Sequence, residues 1–110
     1  MAKSTLNDKR TINFLRAIVD DGKEILAVKL VNRDLDEGQT VKEIFTLEKS
    51  PFWDGMAGFS ISAKKIEENK FKITFGCQVL PEAGDGGWWV VEFNDIDEVV
   101  SCEDAGMWVS

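Results

Sequence analysis

The clearest hydrophobic pattern in the chain is an alternation of apolar and polar residues between positions 59 and 79. Such alternation is typical of β-strands that bury one face. Because the two apolar faces must lie on the same side of a hairpin, the pattern predicts that Ile61 pairs with Phe75. This register leaves residues 67–69 as a three-residue loop, in which Asn69 takes the left-handed conformation.

A second alternating run begins with two adjacent tryptophans and extends over residues 88–93. In a strand, neighbouring side chains point to opposite faces, so Trp88 and Glu92 share one face and Trp89 lies on the other. One ring is then a core residue, and the other is exposed or covered by a further element. The glycines of segment 84–87 predict a flexible hairpin connection before this strand.

Several shorter segments also show strand-like composition. Residues 94–98 are polar and predict a turn. The predicted short strands are 24–31, 41–47, 99–102 and 107–109.

The segment 4–20 has two interpretations. Its apolar residues recur at helical spacing, with Ser4, Thr5 or Asn7 as the N-cap and Gly22 just beyond the C-terminus. Alternatively, the Asp21-Gly22 pair turns one strand into another. The helix separates apolar from polar residues more cleanly and is the favoured interpretation.

These elements predict a single α+β domain over residues 1–110. Its architecture is an antiparallel β-meander of four to six strands, with one N-terminal helix packed on one face. If segment 4–20 is a strand, the alternative is an all-β sandwich or small barrel.

The composition removes most familiar catalytic machinery. The chain has no histidine and no tyrosine, which excludes Ser-His-Asp and Cys-His catalysis. Cys77 and Cys102 lack the spacing of a zinc or redox motif and are expected to be free thiols. We therefore predict no catalytic residue, no metal and no cofactor. A carboxylate-based enzyme that uses Glu92 or Asp95 is a weaker hypothesis.

The charge is distributed unevenly. The net charge is −7, and residues 73–110 contain eight acidic residues and no basic one. Such a segment suits neither nucleic acid nor an anionic membrane surface, because both need lysine and arginine. It suits a cationic partner, although an excess of carboxylates also serves solubility alone. The absence of an apolar run long enough for a membrane span, and of a signal peptide, predicts a cytoplasmic protein.

The leading hypothesis is a small binding protein of the inhibitor or immunity type, which meets a basic protein surface through its acidic, tryptophan-bearing C-terminal third. The alternative is a cationic small molecule held in an aromatic pocket. A homodimer formed through a sheet edge remains open. The candidate binding residues are Trp53, Asp85, Trp88, Glu92, Asp95, Asp97 and Glu98.

Overall fold

A computed structural model describes residues 6–45, 58–80 and 83–109 of the chain. The strands form one antiparallel sheet in the order β1-β2-β3-β4, and the helices pack on one of its faces. The elements are α1 (Asp8–Asp21), α2 (Leu26–Asp36), α3 (Val41–Phe45), β1 (Gly58–Glu67), β2 (Lys70–Leu80), β3 (Ala83–Phe93) and β4 (Val99–Val109). The predicted α+β meander is confirmed. It has four strands, the lowest number expected, and it contains α2 and α3 in addition to the predicted N-terminal helix.

Helix α1 is the helix that the N-terminal spacing predicts. Its N-cap is Asn7, whose side chain accepts a hydrogen bond from the Arg10 backbone N–H at 2.8 Å. It ends at Gly22, which has a φ of 76° and donates its N–H to the Ile18 carbonyl. Glycine takes this left-handed conformation without the steric cost of a Cβ.

The strand predicted over residues 24–31 is instead part of α2. Its β-branched residues favour a strand locally, but Ala27, Val28 and Val31 are buried on one helical face. The N-cap position, Ile25, has no side chain that could hold the first turn. A residue of the sheet supplies the missing hydrogen-bond acceptor. The helix therefore depends on a tertiary contact, which local helix propensity does not reflect.

The strand predicted over residues 41–47 is also wrong, because α3 occupies its first five positions. Thr40 and Glu43 form a capping box: the Thr40 Oγ1 lies 2.8 Å from the Glu43 carboxylate and accepts the Glu43 N–H. The Thr-x-x-Glu spacing was visible in the sequence as a helix start. Residues 46 and 47 lie outside the described residues.

The predicted β1–β2 register is confirmed, since Ile61 pairs with Phe75. The predicted three-residue loop is not. The extra residue is Ile66, which forms a bulge in β1, and the turn itself contains only residues 68 and 69. Asn69 does not take a positive φ, as Asp97 is the one non-glycine residue that does so in the described segments.

Strands β3 and β4 are both longer than predicted. The glycines at 84–87 belong to β3 rather than to a loop, and the two short pieces at the C-terminus form one strand. The register shifts twice along β4, which leaves Val100 and Ala105 as bulged residues. Such bulges add twist to an edge strand and interrupt its hydrogen-bonding pattern.

The core lies between the helices and one face of the sheet. Trp89 is at its centre, only 1% exposed, with the Phe14 ring of α1 edge-on at 5.6 Å. The prediction that the two rings point to opposite faces, with one of them in the core, is confirmed, and the structure identifies Trp89 as the core residue. None of the described helices is long and apolar enough to cross a bilayer.

Candidate functional site

The structure distributes the predicted binding residues over three places. Asp85 faces the helices. Trp88 and Glu92 lie on the opposite face of the sheet, called the outer face below. The turn between β3 and β4, residues 94–98, contains the rest, namely Asp95, Asp97 and Glu98. Trp53 lies outside the described residues.

Asp85 completes the N-terminus of α2. Its carboxylate accepts the backbone N–H of Leu26 at 2.7 Å and that of Ala27 at 3.0 Å. A carboxylate is favourable there, because the first N–H groups of a helix have no partner within it and the helix dipole is positive at that end. Asp85 and Trp88 were both predicted binding residues, but their side chains lie on opposite faces of the sheet.

Asp85 also affects Cys77, its partner across the β2–β3 pair, with 3.9 Å between the Cys77 Sγ and an Asp85 oxygen. Burial, followed by the negative charge of Asp85, raises the pKa of the Cys77 thiol to about 11. Burial likewise raises the pKa of Cys102 to about 11, with the charges of Asp21 and Asp104 adding to it. Both cysteines are free thiols, and both stay protonated at neutral pH.

The 94–98 turn is held internally by Asn94. The Asn94 side-chain oxygen accepts the backbone N–H of Ile96 at 3.0 Å and that of Glu98 at 2.9 Å. The Asn94 amide nitrogen donates to the Glu98 carboxylate at 3.1 Å. Asparagine commonly stabilises turns in this way, by replacing a backbone acceptor with its side chain.

Helix α1 fixes the same turn from outside, through Asp97. Arg10 Nε donates to the Asp97 carboxylate at 2.6 Å, and Asn13 Nδ2 donates to the Asp97 carbonyl at 2.8 Å. Hydrogen bonding to Arg10 lowers the pKa of Asp97. Asp97 has a φ of 68°, a conformation that few residues other than glycine and asparagine adopt readily.

Arg10 is itself fixed by the sheet. Its guanidinium lies 4.9 Å from the centroid of the Phe93 ring, and Nη2 donates to the Asn69 side chain at 3.1 Å. A guanidinium with a carboxylate, an amide and an aromatic face around it loses much of its rotational freedom. Asp97 is therefore a structural anchor of the turn.

The side chains that this turn exposes are Asp95, Ile96 and Glu98. Ile96 is 59% exposed, although it is an aliphatic residue with no described neighbour that buries it. Asp95 and Glu98 on either side are exposed as well. An apolar side chain between two carboxylates, on a backbone fixed from several directions, forms a small preorganised surface. We call residues 95, 96 and 98 the acidic tip.

A buried lysine accounts for another acidic residue of the C-terminal third. Lys23 is only 7% exposed, and its ammonium donates to Asp104 at 2.8 Å and to the Gly106 carbonyl at 2.6 Å. The ammonium also lies 4.7 Å from the Trp89 ring centroid. Hydrogen bonding to Lys23 lowers the pKa of Asp104. The sequence contained no signal for this contact, since Lys23 reads as an ordinary loop residue.

The acidic excess of the C-terminal third is thus divided. Asp85, Asp97 and Asp104 have partners within the protein. Four carboxylates face solvent without a cationic partner among the described residues: Glu92, Asp95, Glu98 and Glu103.

The outer face carries a second aromatic residue that the sequence did not single out. The six-membered ring of Trp108 lies over Gly86 and Gly76, where a Cβ on either glycine would come within 2.7 Å of it. Trp88 lies in the same way beside Gly106. These glycines are needed because the indole rings pack directly against the backbone. Both tryptophans remain partly exposed.

Other kinds of site find little support in the described segments. No group of three or more potential metal ligands occurs there. A solvent-open groove of about 450 Å³ lies between α1 and residues 39–41, lined in part by Ile12 and Arg16. It contains none of the predicted binding residues. Trp88 and Glu92 do not line an enclosed space on the helix side, which the core fills.

Comparison of the chain with protein-family models, curated proteins and solved structures gives no match.

Proposed function

We propose that this protein is a small binding protein whose acidic tip meets a basic surface of another protein. One observation carries the proposal: the 94–98 turn is anchored to α1 through Asp97 and presents Ile96 between two exposed carboxylates. The binding surface expected from the sequence was the whole C-terminal third, and the proposal now restricts it to one turn. No catalytic residue is proposed.

The rigidity of the turn favours binding. A flexible loop loses conformational entropy when a partner orders it, at a cost of about 0.5–1.5 kcal/mol for each immobilised side chain. Here the side chain of Asn94 and the contacts of Asp97 fix the backbone in advance. Most of the interaction energy of the tip is then available for affinity.

Charge and apolar contact have separate roles. Asp95, Glu98 and the nearby Glu92 create a negative potential at this end of the sheet, which speeds encounter with a positive surface and weakens as salt is added. Ile96 supplies apolar area that leaves water on contact. The partner expected from this chemistry is a protein with clustered lysine or arginine around an apolar depression.

The cationic small-molecule alternative stays a prediction, because no described feature favours it. The aromatic residues expected to form its pocket give it no support, since Trp53 lies outside the described residues and Trp88 packs on the outer face.

The test is a pull-down from a lysate of the source organism, with the purified protein as bait at low and high salt. We expect a stoichiometric basic protein at low salt. After its identification, its affinity for the double variant Asp95→Lys/Glu98→Lys should fall at least tenfold. Asp97 is left unchanged, because its loss would disturb the turn itself.

The matched control is Asp20→Lys/Asp36→Lys, which makes the same change of charge in the last turns of α1 and α2. Lysine is favourable at these positions, and both aspartates are exposed. If the control weakens binding as much as the tip variant, net charge alone governs the interaction and the acidic tip is not the site. Unchanged affinity of the tip variant would overturn the proposal.

A further inference from the structure

The outer face of the sheet carries its tryptophans on β3 and β4. No aromatic residue lies on this face among the described residues of β1 and β2. No described helix covers this face. Its residues are Ser60, Ser62, Lys64 and Glu67 on β1; Lys70, Lys72, Thr74 and Gly76 on β2; Gly86, Trp88, Val90 and Glu92 on β3; and Ser101, Glu103, Gly106 and Trp108 on β4.

Charge is distributed unevenly over the same face. Its three lysines are on β1 and β2, two of its glutamates are on β3 and β4, and the third, Glu67 on β1, pairs with Lys70. The pairing places Lys64, Lys72, Val90 and Glu103 in one row across the sheet. In the next row towards the 94–98 turn, Lys70 lies opposite Glu92. None of these charged residues forms an ion pair with another described residue.

We infer that this face is self-complementary and binds a second copy of the chain. The two-fold axis would lie above the outer face, parallel to the strands and midway between β2 and β3. It would place β1 over β4 of the partner and β2 over β3 of the partner. Each residue then faces a residue of the partner that lies in the same row but on the other half of the partner's sheet. Lys64 faces the partner's Glu103, and Lys70 faces the partner's Glu92.

The shapes are complementary under the same operation. Trp88, whose ring lies beside Gly106, faces the small side chains of the partner's Ser62 and the partner's Thr74. The Trp108 ring lies over Gly86 and Gly76, close to the axis, so it meets the ring of the partner's Trp108. Because every contact away from the axis occurs twice in a two-fold dimer, a modest interaction is doubled. The acidic tip is not part of this surface, so the inference does not depend on the proposed function.

The size of the face fits a reversible dimer. Four strands about 4.8 Å apart, with about eight residues each at 3.3 Å, give a face of roughly 19 × 26 Å. Two such faces bury on the order of 1,000 Å² in total, at the lower end of specific interfaces. We therefore expect a dimer that dissociates on dilution.

The sheet edges are poorly suited to the same role. Strand β1 has a bulge at Ile66, and strand β4 has bulges at Val100 and Ala105. Bulges interrupt the row of free backbone groups that a further strand would need, and natural proteins use them to prevent edge-to-edge pairing. Of the two ways to add a copy, the outer face is the better supported.

The test is sedimentation equilibrium of the full chain over a range of concentrations, with charge reversals at one predicted pair. Lys64→Glu and Glu103→Lys should each raise the dimer dissociation constant about tenfold, because two attractive pairs become repulsive. The double variant Lys64→Glu/Glu103→Lys should restore dimerisation to within about threefold of the wild type. Within one chain these residues lie three strand spacings apart, about 14 Å, so the rescue has to come from the partner.

Lys65→Glu is the matched control. Lys65 adjoins Lys64 but pairs with the buried Phe71, which places it on the helix side of the sheet, and it is 54% exposed. This variant should dimerise like the wild type, and circular dichroism checks the fold of every variant. A wild-type protein that stays monomeric at all concentrations, or a double variant no better than the single ones, would overturn the inference.

Discussion

The carboxylate of Asp85, on strand β3, accepts the backbone N–H of Leu26 at 2.7 Å and so joins the middle of the sheet to the first turn of α2. The two residues are 59 positions apart in the chain. The second oxygen accepts the N–H of Ala27. A helix whose own N-cap residue, Ile25, provides no side-chain acceptor thus receives its cap from a neighbouring strand.

The first prediction concerns this cap. Replacement of Asp85 by alanine leaves two helix N–H groups without an acceptor, so we expect a loss of about 1–2 kcal/mol in the free energy of unfolding. Asp85→Asn should cost less, since an amide oxygen still accepts one hydrogen bond. Urea unfolding followed by circular dichroism measures both, with Asp20→Ala at an exposed position of α1 as the control. Equal stability of Asp85→Ala and the control would contradict the cap.

The Asp85 contact also explains why α2 was predicted as a strand. The stabilising group of its first turn lies in a distant part of the chain, whereas the local composition of 24–31 favours β structure. The β1–β2 register, by contrast, was predictable from the sequence. Over residues 59–63 and 71–77, one face of that hairpin is apolar and the other is polar, and a shift of one residue would bury the polar face.

The candidate site, like the fold, could be predicted only in part from the sequence. The excess of carboxylates indicated a region, but which carboxylates are free depends on Arg10 and Lys23, whose partners lie 87 and 81 residues away. Local sequence does not encode such pairs. The position of Trp108 over Gly76 and Gly86 likewise requires β2, β3 and β4 to be adjacent. The run 84–87, which contains Gly86, therefore suggested a loop, whereas Gly76 was predicted within a strand.

The second prediction concerns Lys23. Its ammonium lies among Asp104, the Gly106 carbonyl and the Trp89 ring, and Gly87 provides the space, since a Cβ there would lie 2.9 Å from Nζ. Lys23→Met retains the aliphatic stem but leaves the carbonyl without its donor. We expect a loss of about 1–3 kcal/mol in the free energy of unfolding.

Two comparisons make the lysine experiment specific. Lys29→Met, at an exposed position of α2, should change stability by less than about 0.5 kcal/mol. Lys23→Arg keeps the charge but adds volume beside Gly87, so it should also destabilise the protein. If Lys23→Met is as stable as Lys29→Met, the buried ammonium contributes nothing to the fold.

The third prediction concerns the contact of Trp108 with the backbone. An alanine Cβ at position 86 would lie 2.6 Å from the Trp108 ring and 2.7 Å from the Phe75 carbonyl. The ring can move, but the neighbouring backbone cannot move as easily. Gly86→Ala should therefore destabilise the protein by about 1–3 kcal/mol and shift tryptophan emission to longer wavelength as the indole becomes more exposed. Asn32→Ala, at an exposed position of α2, is the control and should change neither property.

The fourth prediction concerns the thiols. Because Cys77 and Cys102 have pKa values raised to about 11 in the folded protein, the unfolded chain releases these protons first as pH rises. Stability should be independent of these groups below about pH 8 and should fall between about pH 9 and 11. Urea unfolding across this range, with Cys77→Ser/Cys102→Ser for comparison, measures the effect. A decline of equal slope in the variant would assign it to other groups.

The last prediction concerns Asp97 and acid. Arg10 holds the pKa of Asp97 below its ordinary value, so the unfolded chain takes up the proton first as pH falls. The Asp97 carboxylate contributes its full stabilisation at pH values above the ordinary aspartate pKa, near 3.9. This contribution is lost as pH falls through the lower pKa that Asp97 has in the folded protein. Asp97→Asn should be less stable than the wild type at neutral pH, and the two stabilities should converge as pH falls below the ordinary pKa of an aspartate. Asp104 titrates alike in both proteins and cancels from the difference. A constant gap between the curves would show that Asp97 stabilises the turn by its shape and hydrogen bonds, without a contribution from its charge.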